Sequence, residues 1–291
     1  MTDINITFAA LSDIGRARSV NEDAFQLVDL STGERFDASP SQGTMRVGAG
    51  GALLMLSDGM GGHAAGEVAS ATVIASLRAA LEAHTGGPTE QRLEAAVRRA
   101  NADVIAAAEA KGRHGMGATL TAVLLEHTTA YVAEVGDSRA YLLRSGKLKQ
   151  LTRDQSLVQM LVDQGLMPAD EAERSSKKNI LLQAMGTTDD VRAAIGQVGL
   201  RSGDRLLLCS DGISNAIAFA ELREILANSP PGLACERLIQ LANDRGGEDN
   251  LTAMVALFDG KSLAAPAPAE TVTATFSVIK DFGPLPKPAE P

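Results

Sequence analysis

Residues 119–151 read TLTAVLLEHTTAYVAEVGDSRAYLLRSGKLKQL. The pieces TLTAVLLEH, TAYVAEVGD and RAYLLRSGKLKQL alternate apolar with polar or run apolar, and Ser145-Gly146 supplies a turn inside the last. A period of two marks strands, and strands joined by short turns form an antiparallel meander. A β-rich core is therefore expected here.

Working outward toward the N-terminus, two Ala-rich segments with helical spacing, Glu67–Ala83 and Thr89–Lys111, are separated by TGGP. Before them, Ile4–Ala9 alternates like a strand, and a short strand is expected at Ala24–Asp29, followed by a polar loop from Ser31 to Gln42. Leu53–Leu56 is an apolar run ending in SDGMGGH, which reads as a buried strand entering a turn. Toward the C-terminus, Asp154–Ser176 reads as helix, turn, helix, with Pro168 near the start of the second. The strand Arg205–Cys209 leads into SDGISN, helices are expected at Phe219–Ala227 and Leu233–Arg245, and Leu251–Phe258 closes as a strand. Strands grouped on both sides of a helical pair do not give βαβα alternation, so an α+β fold with mainly antiparallel sheets is expected.

Composition narrows the function. With 45% hydrophobic residues the 291-residue chain has material for a large core, built without Trp. A formal charge of −9 argues against nucleic acid as a partner, because phosphate-backbone binding needs a positive field. No segment approaches the ~18 consecutive apolar residues of a membrane span, and the N-terminus lacks a basic region followed by a long apolar stretch. Cys209 and Cys235 match no metal-ligand spacing, and Cys209 lies in an apolar strand. A soluble, cytoplasmic, reduced monomer is expected. Six of the eleven prolines fall after Phe258. A domain over 1–258 with a Pro/Ala-rich tail over 259–291 is therefore expected. Strict alternation within the tail predicts one extra strand at 271–279, added to a sheet edge.

Five short stretches set an acidic residue beside Gly, Asn or Ser: Asn21-Glu22-Asp23, Ser57-Asp58-Gly59, Gly136-Asp137-Ser138, Ser210-Asp211-Gly212 and Glu248-Asp249-Asn250. Any one of them is an ordinary turn. Together they offer carboxylates fixed at strand ends, with glycines that let the backbone pass closely around an ion. Oxygen ligands without a His or Cys cluster select hard cations such as Mg²⁺ or Mn²⁺. Two such ions about 3.5–4 Å apart activate a water for in-line attack on phosphorus and neutralise the phosphoryl oxygens. No covalent nucleophile is then needed, and neither a GxSxG elbow nor a reactive-cysteine signature is found. Arg18, in RARSVNED, is the candidate to grip phosphate, since guanidinium matches it bidentately.

These stretches resemble the metal-dependent protein Ser/Thr phosphatases of type 2C, in their bacterial branch. The resemblance is carried by RSVNEDAF (18–25), SDGMGGHAAGEVAS (57–70), GMGATLTAV (115–123), VGDSRAYL (135–142), LTRDQSLV (151–158), CSDGISN (209–215) and GGEDNLTAMV (246–255), in the family's order. It implies a central antiparallel β-sandwich flanked by helical layers, with the metals in a cleft at one end. It further implies that Asp58 bridges two Mn²⁺ or Mg²⁺ ions, joined on the second by the carbonyl of Gly59, and that Asp211 and Asp249 complete the first. Asp23, with Glu22 beside it, serves the second ion directly or through water. Asp137 matches the ligand of a third, weaker ion, Asn250 supports Asp249, and Arg18 matches the phosphate-binding arginine. The implied reaction is hydrolysis of phosphoserine or phosphothreonine by a metal-activated water. The implied partner is a phosphoprotein, either the target of a Ser/Thr kinase or the kinase itself.

Two positions depart from the wider pattern. Met60 stands where many members carry a candidate general-acid His, and His63 is read as a packed or capping ring, which leaves the acid unassigned. Gln155 replaces the His of the usual Asp-His-Ser at the start of the flap, 154–185. An alternative reading, a pseudophosphatase kept as a phosphoprotein-binding module, predicts a lost acidic ligand, and none is lost. A calcium-binding structural role is disfavoured because no EF-hand spacing occurs.

Overall fold

Strand pairing is antiparallel throughout the described residues and closes two sheets. The structure, a computed structural model, describes residues 3–61, 64–110, 112, 115–268, 270–272 and 275–277. Strands β1 (Asn5–Asp13), β2 (Asp23–Asp29), β3 (Arg35–Phe36), β4 (Ser41–Arg46) and β5 (Ala52–Met60) precede two long helices, α1 (Ala64–Ala83) and α2 (Thr89–Ala110). The opening stretch folds as β6 (Gly117–Ala118), β7 (Leu120–Glu126), β8 (Thr129–Val135), β9 (Arg139–Arg144) and β10 (Lys147–Gln150). The flap carries α3 (Leu157–Asp163) and α4 (Ala169–Arg174) and is followed by β11 (Ala194–Gly199) and β12 (Arg205–Cys209). Helices α5 (Asp211–Ser214), α6 (Phe219–Asn228) and α7 (Pro231–Asp244) lead to β13 (Leu251–Asp259) and β14 (Thr275–Ser277).

The meander does not stay in one sheet. β7 and β8 pair with each other, but β9 and β10 cross to the other layer. One sheet has the order β10-β9-β12-β13-β1-β4, and the other β14-β11-β8-β7-β5-β2-β3, with β6 on β5. Period-two geometry then explains the apolar runs. Leu54 and Leu56 point into the space between the sheets with Leu206, Leu208 and Phe258. Leu53 and Met55 point outward against α1 and α2, where Val73, Leu77 and Val97 cover them. Leu207 and Cys209 point out on the opposite side, under Leu222, Leu226 and Leu238 of α6 and α7. Both faces of each central strand are covered, so the strands read as continuous apolar segments. The result is an α-β-β-α sandwich of the α+β class.

Four strands, the two-residue β3 and β6 and the longer β4 and β11, lie where only loops or nothing had been anticipated. β4 is short, polar and glycine-bearing, and takes the edge beside β1, where one face meets solvent. β11 contains Gly196 and Gly199 and so lacks an unbroken apolar pattern. The core also draws on residues past the anticipated boundary at 258. Leu263 and Val272 join the apolar space between the sheets. Glu270 pairs with Arg144 and Arg201, each at 3.0 Å, and Lys149 Nζ donates to Val272 O at 3.0 Å. Arg144 is itself buried, held bidentately by Asp204 at 2.9 and 2.7 Å. β14 pairs with β11, Ile195 opposite Ser277. Of the 271–279 stretch, residues 273, 274, 278 and 279 lie outside the described residues.

Candidate metal centre

Antiparallel order brings one set of strand ends to a single pole. There β2 begins, β5 and β8 end, β12 gives way to α5, and β13 begins. Asp23 and Asp58 are register partners across β2 and β5. The Ser57-Asp58-Gly59 string, anticipated as a turn, continues as strand, and Gly59 and Met60 pair with Ala118 and Gly117. The second such string behaves differently, because Asp211 opens helix α5 behind Ser210 as its cap. Asp137 occupies the β8–β9 turn, and Asp249 and Asn250 lead into β13. A cleft of about 210 Å³ is lined by Asp58, Gly59, Asp137, Asp211 and Asp249, with Arg18, Glu22 and Met60. Asp23 is not on that wall; it sits half-buried opposite Asp58.

Short hydroxyl side chains hold these carboxylates. The Asp58 N–H donates to Thr119 Oγ1 at 2.9 Å, the Thr119 N–H returns a bond to Asp58 O at 2.8 Å, and Ser138 Oγ lies 2.8 Å from Thr119 Oγ1. Asp23 Oδ2 accepts from Ser210 Oγ at 2.8 Å and Thr252 Oγ1 at 2.6 Å. Asn250 works as a cross-brace. Its Oδ1 accepts the Glu22 N–H at 2.8 Å, and its Nδ2 donates to the carbonyls of Ile14 and Val20, each at 3.0 Å. Asn250 therefore supports the Glu22-Asp23 corner as well as the Asp249 side. Gly59 cannot carry a side chain, since a Cβ would lie 2.1 Å from Gly66 O, and the start of α1 is pressed against the end of β5.

The electrostatics ask for a cation. Burial first, then the surrounding carboxylates, pushes Asp23 up to about 7, Asp211 up to about 6 and Asp137 up to about 8. The same causes raise Asp58 well above the ordinary carboxylate range, with Asp23, Asp211, Asp137 and Asp249 all contributing. Asp23 Oδ1 and Asp211 Oδ1 are buried without a hydrogen-bond partner. Unsatisfied anionic oxygens enclosed together are a costly arrangement unless a positive charge joins them. Among the described residues no three His, Cys, Asp or Glu side chains stand close enough together to hold a metal ion without rearranging. Hard dications bind through one or two carboxylates each and keep several waters, so an open carboxylate cleft suits them.

Arg18 stands at the rim, with Nη2 on Asp249 Oδ2 at 2.7 Å. It is thus engaged with one of the anticipated ligands. Met60 is partly exposed at the cleft, and His63 lies outside the described residues. The flap closes one side. Asp154 is held bidentately by Arg139, and a larger cavity of about 600 Å³ beneath the flap shares Asp137 and Asp211 with the cleft. The supporting residues Thr119, Ser210, Thr252 and Gln155 were not singled out from sequence as part of the site. Ser210 is the first residue of the Ser210-Asp211-Gly212 string and Thr252 lies two residues after Glu248-Asp249-Asn250, and those positions are their only signal.

Fold and site together define a two-sheet sandwich with a carboxylate-lined cleft at one pole. Residues 37–255 match the family described as Protein phosphatase 2C. The chain is 39% identical over 252 residues to "Serine/threonine protein phosphatase PstP" of Mycobacterium tuberculosis, covering 86% of this chain and 45% of that protein. It is 35% identical to "Serine/threonine phosphatase stp" of Listeria monocytogenes, covering 84% and 92%. A crystal structure of the Mycobacterium tuberculosis phosphatase PstP/Ppp superposes with a TM-score of 0.75 at 38% identity, over 88% of this chain and 99% of that one. The catalytic domain of PstP in complex with two manganese ions gives 0.73 at 37%, over the same shares. The chain belongs to the protein phosphatase 2C family. It spans less than half the length of the Mycobacterium tuberculosis protein.

Proposed function

We propose that this chain is a metal-dependent protein serine/threonine phosphatase, hydrolysing phosphoserine and phosphothreonine without a covalent enzyme intermediate. The observation that carries this reading is the enclosure of Asp58 among Asp23, Asp137, Asp211 and Asp249, each charge raising its pKa. Two Mn²⁺ or Mg²⁺ ions bound there supply an activated water and neutralise the phosphoryl oxygens. Asp58, Asp211, Asp249 and the carbonyl of Gly59 would hold these ions. Asp23 and Glu22 serve the Gly59 side, Asp23 from opposite Asp58. Asp137, at the far wall beside the flap, is the candidate for a third, weaker ion, and Asn250 braces the corner.

Arg18 exchanges Asp249 for substrate phosphate once cations neutralise that carboxylate, and it orients the phosphoryl group. The two cysteine thiols are unsuited to the attack. Cys209 and Cys235 are buried, and burial pushes both thiols up to about 12. No described residue is assigned as general acid.

The physiological partner in this reading is a phosphoprotein made by a Ser/Thr kinase, or the kinase itself, met by a monomer in the cytoplasm. No described helix is long and apolar enough to cross a membrane. The phosphatase unit is 1–258, steadied by the residues that follow it. Hydrolysis of a phosphothreonine peptide that appears with added Mn²⁺ and disappears with EDTA tests the proposal. Activity that survives EDTA would overturn it.

A further inference from the structure

The flap leaves the sandwich at Asp154, and one residue, through its backbone and its side chain, ties both of its ends to the turn that carries Asp137. Gln155 is 3% exposed. Its N–H donates to Gly136 O at 2.7 Å, and its Oε1 accepts the Gly136 N–H at 3.0 Å. Its Nε2 donates to Glu134 O at 3.3 Å, so the end of β8 is gripped on both sides. On the flap side, Gln155 O accepts from the Leu182 N–H at 2.8 Å, next to the bridge between Ser156 and Leu181. Gly136 has little freedom to drift. Its φ is +110°, and a Cβ there would lie 2.7 Å from Thr119 Cγ2, the residue whose hydroxyl holds the Asp58 N–H.

We infer that Gln155 is a positioning residue that couples cation binding at Asp137 to the order of the flap. The inference rests on the cleft being a dication site, as proposed above. A cation drawing on Asp137 steadies the Gly136-Asp137 turn, the side-chain amide of Gln155 fixes residue 155 against that turn, and its backbone carbonyl carries the constraint to Leu182 on the returning segment of the flap. A carboxamide suits this role because one planar group offers both the acceptor for Gly136 and the donor for Glu134. Linkage makes the effect reciprocal: the factor by which a bound cation steadies the flap is the factor by which an ordered flap tightens the cation. Outer partners of a metal site of this kind change affinity by about ten- to a hundredfold.

The test uses the full chain with Mn²⁺ as the only probe, read by hydrogen exchange at the Leu182 amide and by calorimetric titration. In the wild type, Mn²⁺ should slow that exchange by about ten- to a hundredfold. Gln155→Met, which keeps the volume and loses the side-chain bonds to Gly136, Glu134 and Gln183, should remove the protection and weaken the weakest Mn²⁺ class by the same factor. Asp137→Ala should remove the protection with Gln155 intact. Protection that persists in either variant, or that is missing from the wild type, overturns the inference. If Gln155→Met does not fold, Gln155→Glu keeps the acceptor for Gly136, loses the donor to Glu134, and should show an intermediate loss. Wild-type peptide hydrolysis is measured alongside. Its absence would count against the phosphatase reading, whereas the exchange readout needs no turnover.

Discussion

Asp23 and Asp58 stand directly opposite one another on adjacent antiparallel strands, β2 and β5. Like charges in that position destabilise a sheet, and here both are half-buried and poorly solvated, which raises both pKa values further. The apolar strands on either side give no local reason for such a pair. It makes physical sense as a site whose electrostatics are completed by bound cations.

Neutralising part of the cluster should therefore stabilise the cation-free protein while abolishing its activity. Asp58→Asn removes one poorly solvated charge, a relief of about 1 kcal/mol or more, which corresponds to a rise of about 2–4 °C in Tm for a domain of this size. Thermal unfolding in EDTA checks the first part. Mn²⁺-dependent hydrolysis should meanwhile fall by more than about a hundredfold. A lower Tm for Asp58→Asn would remove the electrostatic argument.

Proton linkage gives a second expectation. Without cations, Asp211, Asp23 and Asp137 are raised to about 6, 7 and 8, whereas in the unfolded chain aspartates ionise near 4. The native state then holds more protons than the unfolded chain, and cation-free stability falls as pH rises from about 4 to about 8. Cations need the ionised forms, so Mn²⁺ affinity should rise over the upper part of the same range. Calorimetry should show tighter binding at pH 8.5 than at pH 6, with more protons released at pH 6. Equal affinity at both would contradict the assignment of these carboxylates to the site.

Arg18 makes no buried contact, and its ion pair with Asp249 is partly exposed. Removing it should leave the fold intact. A charge-assisted hydrogen bond to phosphate contributes about 1.5–3 kcal/mol, so Arg18→Ala should raise KM by about ten- to a hundredfold with little change in kcat, provided ground and transition states are held alike. Steady-state kinetics on a phosphothreonine peptide decide it. A loss of kcat at unchanged KM would refute the role.

The segment after β13 belongs to the core energetics. Ending the chain after Asp259 strips Leu263 and Val272 from the space between the sheets and takes Glu270 from Arg144. At about 1.5–3 kcal/mol for each buried apolar side chain, the truncated protein should unfold about 10 °C lower or more. An unchanged melting curve would show that these residues decorate the core without supporting it.

Much of this architecture was readable from residues 119–151 and from Leu53–Leu56, because long alternating or apolar runs bounded by Gly and Asp report strands directly. The acidic strings were readable as a group for the same reason, each lying just before or just after such a run. The two Ser-Asp-Gly strings could not be told apart locally. One continues as strand because Ala118 pairs with Gly59, and the other opens a helix, a choice made by tertiary contacts. β4 and β11 were hidden because edge and glycine-bearing strands carry little apolar signal. Asp23 was legible as acidic and near the site, but its place opposite Asp58 depends on Ser210 and Thr252, contacts 187 and 229 residues away. Gln155 and Arg144 act through partners distant in sequence, so their roles had no local signature.

The most direct measurement is the rate of phosphate release from a phosphothreonine peptide by the purified chain, titrated with Mn²⁺ and then with EDTA, beside Asp211→Asn. Hydrolysis should rise saturably with Mn²⁺, vanish with EDTA, and be lost in the variant although the protein remains folded. Turnover that is indifferent to EDTA, or preserved in Asp211→Asn, would contradict a carboxylate-held metal centre as the source of the activity.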